Sequence, residues 1–228
     1  MKLLAIDTSS IACTVAVRVG DALVARHEEQ PREHTRLLMP MIREALQEAD
    51  VQLGDLDAIV LGNGPGSFIG MRIAASVSQG LAYGAGLKII PVSSLAAVAA
   101  EVFATSDAEE VAVAQDAHMN EVYLGLFARG DKGQPVPIAA ERLHKQEPIS
   151  ELAVGTKDLR VTAGEGWQRY PKLLTLNESR FGGQSKVLYP HAKYLLTLAD
   201  SNAAIDPRDI SPSYLRQKVA QIPATIGS

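Results

Sequence analysis

The chain has 228 residues, 46% of them apolar and 21% charged, enough for one large or two small domains around a packed core. Its net charge of −4 supplies no general attraction to phosphate backbones, which argues against nucleic-acid binding by the chain acting alone. Cys13 is the single cysteine and excludes an internal disulfide. The apolar run from Leu3 to Ile6 is cut by Asp7, too short for a signal peptide, and no long apolar span offers a membrane anchor, so a cytoplasmic protein is expected.

In chain order, Lys2 to Ser10 reads as a buried strand ending in Asp-Thr-Ser-Ser, and Thr14 to Arg18 with Ala22 to Arg26 alternate around Gly20-Asp21 as a hairpin. A helix follows from about His34 to Ala49. It carries Leu38, Met41, Ile42, Ala45, Leu46 and Ala49 on one face, leaves Leu37 and Met39 outside that stripe, and is expected to bend at Pro40. Ala58 to Leu61 is a continuous apolar run, hence a buried central strand, closed by Gly62, Gly64, Pro65 and Gly66. The next helix, Gly66 to Tyr83, places Gly66, Gly70, Ala74, Ser78 and Ala82 in a row of small residues beside Ile73, Val77 and Leu81. Arg72 is its only charge, so it needs cover on more faces than its own sheet provides.

Lys88 to Val92 as a strand and Ser94 to Ala104 as a helix complete a βββαβαβα order, which predicts an α/β, actin-like (ribonuclease-H-like) lobe. Beyond Glu109, strands at Val111 to Gln115, Glu121 to Ala128 and Val136 to Arg142 are joined by polar turns, including Gly130 to Gly133. A short helix at Pro148 to Leu152, a strand at Leu159 to Ala163 and a helix at Trp167 to Leu174 fill out a second, smaller α/β lobe. The expected division is 1–106, 107–189 and 190–228, the last holding a helix at Pro190 to Ser201 that returns to the first lobe. The tail beyond Pro223 has no periodicity and is expected to be disordered, and no internal repeat is visible.

The glycine-rich turn admits two readings, a phosphate cradle at a helix N-terminus or a tight structural turn with close helix packing. The second is favoured. No lysine follows Gly66, and Ser67 stands where a dinucleotide fingerprint needs its third glycine. Asp7, with Thr8, Ser9 and Ser10 after it, ends a strand at the corner that faces the cleft of such a fold and is the best single catalytic candidate. Carboxylates to join it on metal ions are scarce, since only Asp57 and Asp116 lie near strand ends, and the second lobe shows no glycine-rich strand–helix turn for nucleotide. His27, His34, His118, His144 and His191 contain no pair at helical spacing, so no metal site is expected and each reads as a surface or capping residue. Cys13 reads as a small buried hydrophobe. Asp116 to Tyr123 is a polar turn, equally consistent with backbone satisfaction and with function. Ser211 to Arg216, with Arg208 and Lys218 nearby, forms the one basic cluster of note, read as a solvated tail in preference to an RNA or partner contact.

These residues resemble a known family, the bacterial TsaB (YeaZ) proteins. The resemblance rests on Leu4-Ala5-Ile6-Asp7-Thr8-Ser9, His34-Thr35-Arg36-Leu37-Leu38 with Pro40-Met41-Ile42, Gly64-Pro65-Gly66-Ser67-Phe68 with Gly70 and Arg72-Ile73, Asp116 with Met119-Asn120-Glu121-Val122-Tyr123, and Ser213-Tyr214-Leu215-Arg216. Ile69 departs from the family's usual threonine and His118 from its common arginine. The resemblance implies an actin-like fold and a non-enzymatic role without cofactor: partner of TsaD, with the ATPase TsaE, in placing N6-threonylcarbamoyl on the adenosine next to the anticodon of ANN-decoding tRNAs. It implies that TsaC-type enzymes supply the activated threonylcarbamoyl group and that tRNA is met only through the complex. It also implies a two-helix surface, with Met39, Ile42, Gly70, Ala74, Val77 and Ser78 among its members, that packs on TsaD and forms a homodimer when alone. The rival reading is an actin-like nucleotide phosphotransferase or ATPase acting by itself.

Overall fold

The computed structural model describes residues 1–152 and 158–216. The sequence expectation for the tail beyond Pro223 lies outside the described residues, as does Lys218. The first sheet contains β1 (Lys2–Asp7), β2 (Ala12–Val19), β3 (Ala22–Glu29), β4 (Ala58–Gly62) and β5 (Lys88–Val92), in the order β3-β2-β1-β4-β5. β1 pairs antiparallel with β2, Ala5 opposite Ala16, and parallel with β4, Ala5 opposite Val60. Helices α1 (His34–Glu48), α2 (Phe68–Ala85) and α3 (Ser94–Thr105) interrupt the strands. Both faces of this sheet are dry, which is why its inner strands read as unbroken apolar runs. Leu4, Ile6, Ile59 and Leu61 face α1 and α2, while Leu3, Ala5, Ala58 and Val60 face the opposite side. That side is covered by α6 (Ala192–Leu198), whose Ala192, Leu195 and Leu196 are buried against it.

The second sheet contains β6 (Glu110–Asp116), β7 (Glu121–Arg129), β8 (Pro135–Lys145), β9 (Arg160–Ala163) and the short β10 (Gly183–Gln184), ordered β10-β9-β6-β7-β8. Starting from each sheet's first strand, the two orders are the same: two antiparallel strands on one side and two parallel strands on the other. The chain therefore uses one strand order twice, although no repeat is visible in its residues. α3 lies between the sheets, with Leu95, Val98 and Val102 packed on Val111, Val113 and Phe127 of the second and Ala97 on the first. The far face of the second sheet is covered by α4 (Gly166–Arg169) and α5 (Pro171–Asn177). Trp167 is buried there and donates its indole N–H to the Ala112 carbonyl at 3.0 Å.

Several local expectations change. α1 ends at Glu48, one residue short of the expected Ala49, which is its C-cap. The predicted helix at Trp167 to Leu174 is two helices, since Pro171 has no N–H to continue the first and opens the second. Pro148 to Leu152 is not helical: the Ile149 N–H is taken by the buried Asn177 side chain at 2.7 Å, and Ile149 and Leu152 fill the core beneath α5. The helix predicted over Pro190 to Ser201 is limited to Ala192–Leu198, its first turn capped by the His191 Nδ1, which accepts from the Lys193 N–H. Among the described residues no helix is long and apolar enough to cross a membrane.

Candidate functional site

Each lobe ends its first strand in an aspartate, Asp7 on β1 and Asp116 on β6, and the cleft between the lobes opens at these ends. Asp7 is fully buried. Its two oxygens accept the Ser9 N–H at 2.6 Å and the Ser94 hydroxyl at 2.6 Å, and the Ser94 oxygen in turn accepts the Gly64 N–H at 3.1 Å. Burial pushes the carboxyl above its ordinary range while these bonds pull it back. A side chain at Gly62 would collide with the Asp7 carboxylate, so this aspartate is packed as well as bonded. It ties β1, α3 and the glycine turn together, with both of its oxygens engaged inside the chain. Among the described residues no group of His, Cys, Asp or Glu could hold a metal ion.

The glycine turn has the same inward character. Ser67 donates its N–H to the Ser9 carbonyl at 2.6 Å and caps α2, its hydroxyl accepting the Gly70 N–H at 3.2 Å. The Thr8 hydroxyl donates to the Gly70 carbonyl at 2.7 Å. Any Cβ at Gly66 or Gly70 would strike the carbonyls of Ser9 or Thr8. The glycines exist because β1's exit lies directly on the start of α2, and the donors of Ser67 and Gly70 are spent inside the chain. The second lobe does possess a glycine-bearing turn, Gly164-Glu165-Gly166 between β9 and α4, contrary to the sequence expectation. Its helix is a single turn, and Glu165 brings a carboxylate where a phosphate would need a donor.

The cleft is a cavity of about 570 Å³. Its lining is polar on both sides, with Ser9, Arg32, His34 and Thr35 from the first lobe and Gln115, Asp116, His118, Glu165 and Arg169 from the second. Asp116 accepts the Tyr170 hydroxyl at 2.6 Å, the Arg169 guanidinium at 2.8 Å and the His118 N–H at 2.8 Å. His118, Met119 and Asn120 all adopt positive φ, which turns the β6–β7 connection sharply at the cleft mouth. The segment Ser211 to Arg216 straps the lobes together there, correcting its reading as a solvated tail. The Ser213 N–H donates to Asn63 at 3.0 Å, Tyr214 Oη accepts from Arg72 at 3.1 Å, and Arg216 reaches the Glu121 carboxylate at 2.7 Å and the Ala117 carbonyl at 3.0 Å. A sequence reader has no local signal for this, since the partners lie about a hundred residues away.

The outward surface of α1 and α2 is the other candidate. Of the six positions expected there, Met39 is 40% exposed and Val77 is half-buried, but Ile42, Gly70, Ala74 and Ser78 are enclosed by the chain itself. The row of small residues faces inward, letting α2 settle on the β1 turn and the first core, so substitutions at Gly70 or Ala74 test the fold before any interface. The face left bare is offset by one position: Ile69 is 71% and Phe68 39% exposed, with Ile73 half-buried beside them. These residues with Thr35 and Val77 line a groove of about 390 Å³. Arg72 stacks over Phe68, 3.8 Å from its ring centre, and Tyr214 lies 5.6 Å beyond. An aromatic, arginine and isoleucine cluster standing in solvent has the composition of a protein contact.

Comparison with known proteins gives a consistent result. A protein-family model described as "TsaD: tRNA N6-adenosine threonylcarbamoyltransferase" matches residues 27–144. The "tRNA threonylcarbamoyladenosine biosynthesis protein TsaB" of Haemophilus influenzae is 36% identical over 96% of this chain and 95% of its own length. The protein of the same name from Escherichia coli K12 is also 36% identical, covering 96% of both chains. The solved structure of "YeaZ from Pseudomonas aeruginosa" superposes with a TM-score of 0.86 at 35% identity, covering 94% of this chain and 99% of that one.

Proposed function

The chain belongs to the TsaB (YeaZ) family of tRNA threonylcarbamoyladenosine biosynthesis proteins, and from that premise we propose that it is the non-catalytic subunit that docks on TsaD. TsaE completes the assembly, the transfer to adenosine takes place on TsaD, and tRNA is met only through the complex. The observation that carries this reading is the exposed face of the helix pair, Ile69 and Phe68 at the groove with Ile73 and Val77 on α2, and Met39 exposed on α1. Two such pairs make a four-helix contact with axes about 8–10 Å apart, and without TsaD a second copy of the chain takes the same place. The absence of free chemistry at Asp7, whose oxygens are both satisfied by serine donors, weighs on the same side and against a stand-alone phosphotransferase.

The test is Ile69→Glu. The side chain is mostly in solvent, so the variant is expected to unfold within about 0.5 kcal/mol of the parent. Buried in a dry contact, the carboxylate is expected to abolish co-elution with TsaD on a sizing column, a loss of about 2 kcal/mol or more. Threonylcarbamoylation of tRNA by the mixture with TsaD and TsaE is expected to fall with it. Normal co-elution of the folded variant refutes this surface as the docking face, and ATP turnover by the purified chain alone refutes the non-catalytic role.

A further inference from the structure

We infer that Arg72 is the carboxylate-binding point of the docking face: its guanidinium, held between Phe68 and Tyr214, receives an aspartate or glutamate side chain of TsaD as that partner covers the groove on α2. Arg72 can act in this way only if TsaD docks on the face described above, so the assignment rests on that reading and adds the chemistry that the partner must present there.

Arg72 is the sole charge in the 18 residues of α2, and it lines the groove with Phe68, Ile69, Ile73 and Val77. Its place is fixed from two sides. The guanidinium carbon stands 3.8 Å from the centre of the Phe68 ring and 5.9 Å from that of Tyr214, and Nε donates to the Tyr214 hydroxyl at 3.1 Å. Tyr214 belongs to the strap that joins the lobes, so a contact across 142 residues of chain orients a side chain that is itself exposed. Stacking on aromatic faces orders a long side chain before any partner arrives, which lowers the entropy cost of using it in a contact.

What the guanidinium lacks is an anion. Among the described residues Arg72 enters no ion pair, and its Nη1 and Nη2 make no hydrogen bond. Arg26 and Arg36, by contrast, are paired with Glu48 and Glu33. No acidic side chain lines the groove. A partner that dries this groove takes water from Arg72 as well, and a charge desolvated without a counter-charge opposes docking. With Nε already engaged, the two Nη groups remain, and their parallel N–H bonds fit the two oxygens of one carboxylate. In a second copy of the chain the facing α2 has no acidic residue to offer, so the carboxylate is assigned to TsaD. One cation among apolar walls, on a chain of net charge −4, is not the extended basic surface that a nucleic-acid backbone requires.

The experiment is calorimetry of TsaD binding to the full chain and its variants at about 0.05 M and about 0.5 M salt, a range over which exposed charge attraction is largely screened. Arg72→Met keeps an unbranched stem and removes the charge. It is expected to weaken binding about tenfold at the lower salt and less at the higher, with an unchanged thermal midpoint because the side chain is exposed. Arg72→Glu sets carboxylate against carboxylate and is expected to weaken binding by about a hundredfold or more at the lower salt. Ile69→Ser removes an apolar contact without altering charge and separates the two readings. If it weakens docking while Arg72→Met does not, the docking face stands and the role of Arg72 is wrong; if neither variant weakens docking, the docking face itself is wrong. A loss in Arg72→Met that is equally large at both salt concentrations shows the guanidinium meeting neutral carbonyl groups, and a loss confined to self-association, followed by sedimentation, gives the carboxylate to a second copy. Either result overturns the assignment.

Discussion

Replacing Gly70 by alanine puts a methyl group onto the Thr8 carbonyl oxygen and within 3.3 Å of Ser67 Cβ. The obstacle is backbone, so the start of α2 has to lift by about 1 Å, and a gap of that size forfeits a quarter to a half of the dispersion attraction across it. The hydrogen bond from the Thr8 hydroxyl to the Gly70 carbonyl, 2.7 Å long, is stretched or lost, at a cost of about 1 kcal/mol. Overpacking of this kind adds about 1–3 kcal/mol. Alanine's better helix propensity returns about 1 kcal/mol. The net loss is about 1–3 kcal/mol, roughly 2–12 °C in the thermal midpoint of a chain this long. Gly80→Ala on the same helix is the control, because nothing lies within 4 Å of a Cβ there, and it is expected to gain about 0.5–1 kcal/mol. Urea unfolding of both variants at one pH measures the difference directly. If Gly70→Ala is as stable as Gly80→Ala, the small residues of α2 do not serve to seat it on β1, and the inward assignment of that row is wrong.

Ser78→Ala removes a fully buried hydroxyl that has no partner among the described residues, so it is expected to raise stability by about 1 kcal/mol in the same assay. The imidazole of His191 is held down at about 4, first by burial and then by the charges of His27 and Lys193. Because the unfolded chain takes up this proton near pH 6.5 and the folded chain only near 4, the stabilising effect is complete above pH 6.5 and is lost as pH falls through that window. His191 is only half-buried, so screening reduces the loss to about 1–2 kcal/mol. His191→Asn keeps an acceptor for the α6 cap and is expected to flatten that slope in unfolding measured between the two pH values. Cys13 is buried and its thiol is pushed up to about 12, chiefly by that burial, so a disulfide reagent at mild alkaline pH is expected to label it only after denaturation.

The first lobe was legible because its strands are buried on both faces and its helices carry one apolar stripe, patterns that survive in a single sequence. The hairpin at Gly20, the run from Ala58 and the helix from His34 each announce themselves within a dozen residues. Proline and glycine marked most boundaries correctly, yet the same reading allowed one long helix where Pro171 divides two. The duplication of strand order was invisible, since β9 and β10 have four and two residues and share no pattern with β4 and β5.

The candidate site was legible to a smaller degree. Spacing four identified the small row on α2 and the surplus of apolar surface around it, but spacing does not say which side of a helix that is apolar nearly all round meets its own sheet. Local sequence settled that α2 begins at a glycine turn and where most of the strands lie. Only the tertiary structure decided that Gly70 and Ala74 face inward while Ile69 faces out, that Asp7 is tied by Ser9 and Ser94, and that Arg216 returns to Glu121. Periodicity is a property of neighbours along the chain, whereas burial of a given face depends on what the rest of the chain brings against it from fifty or a hundred residues away.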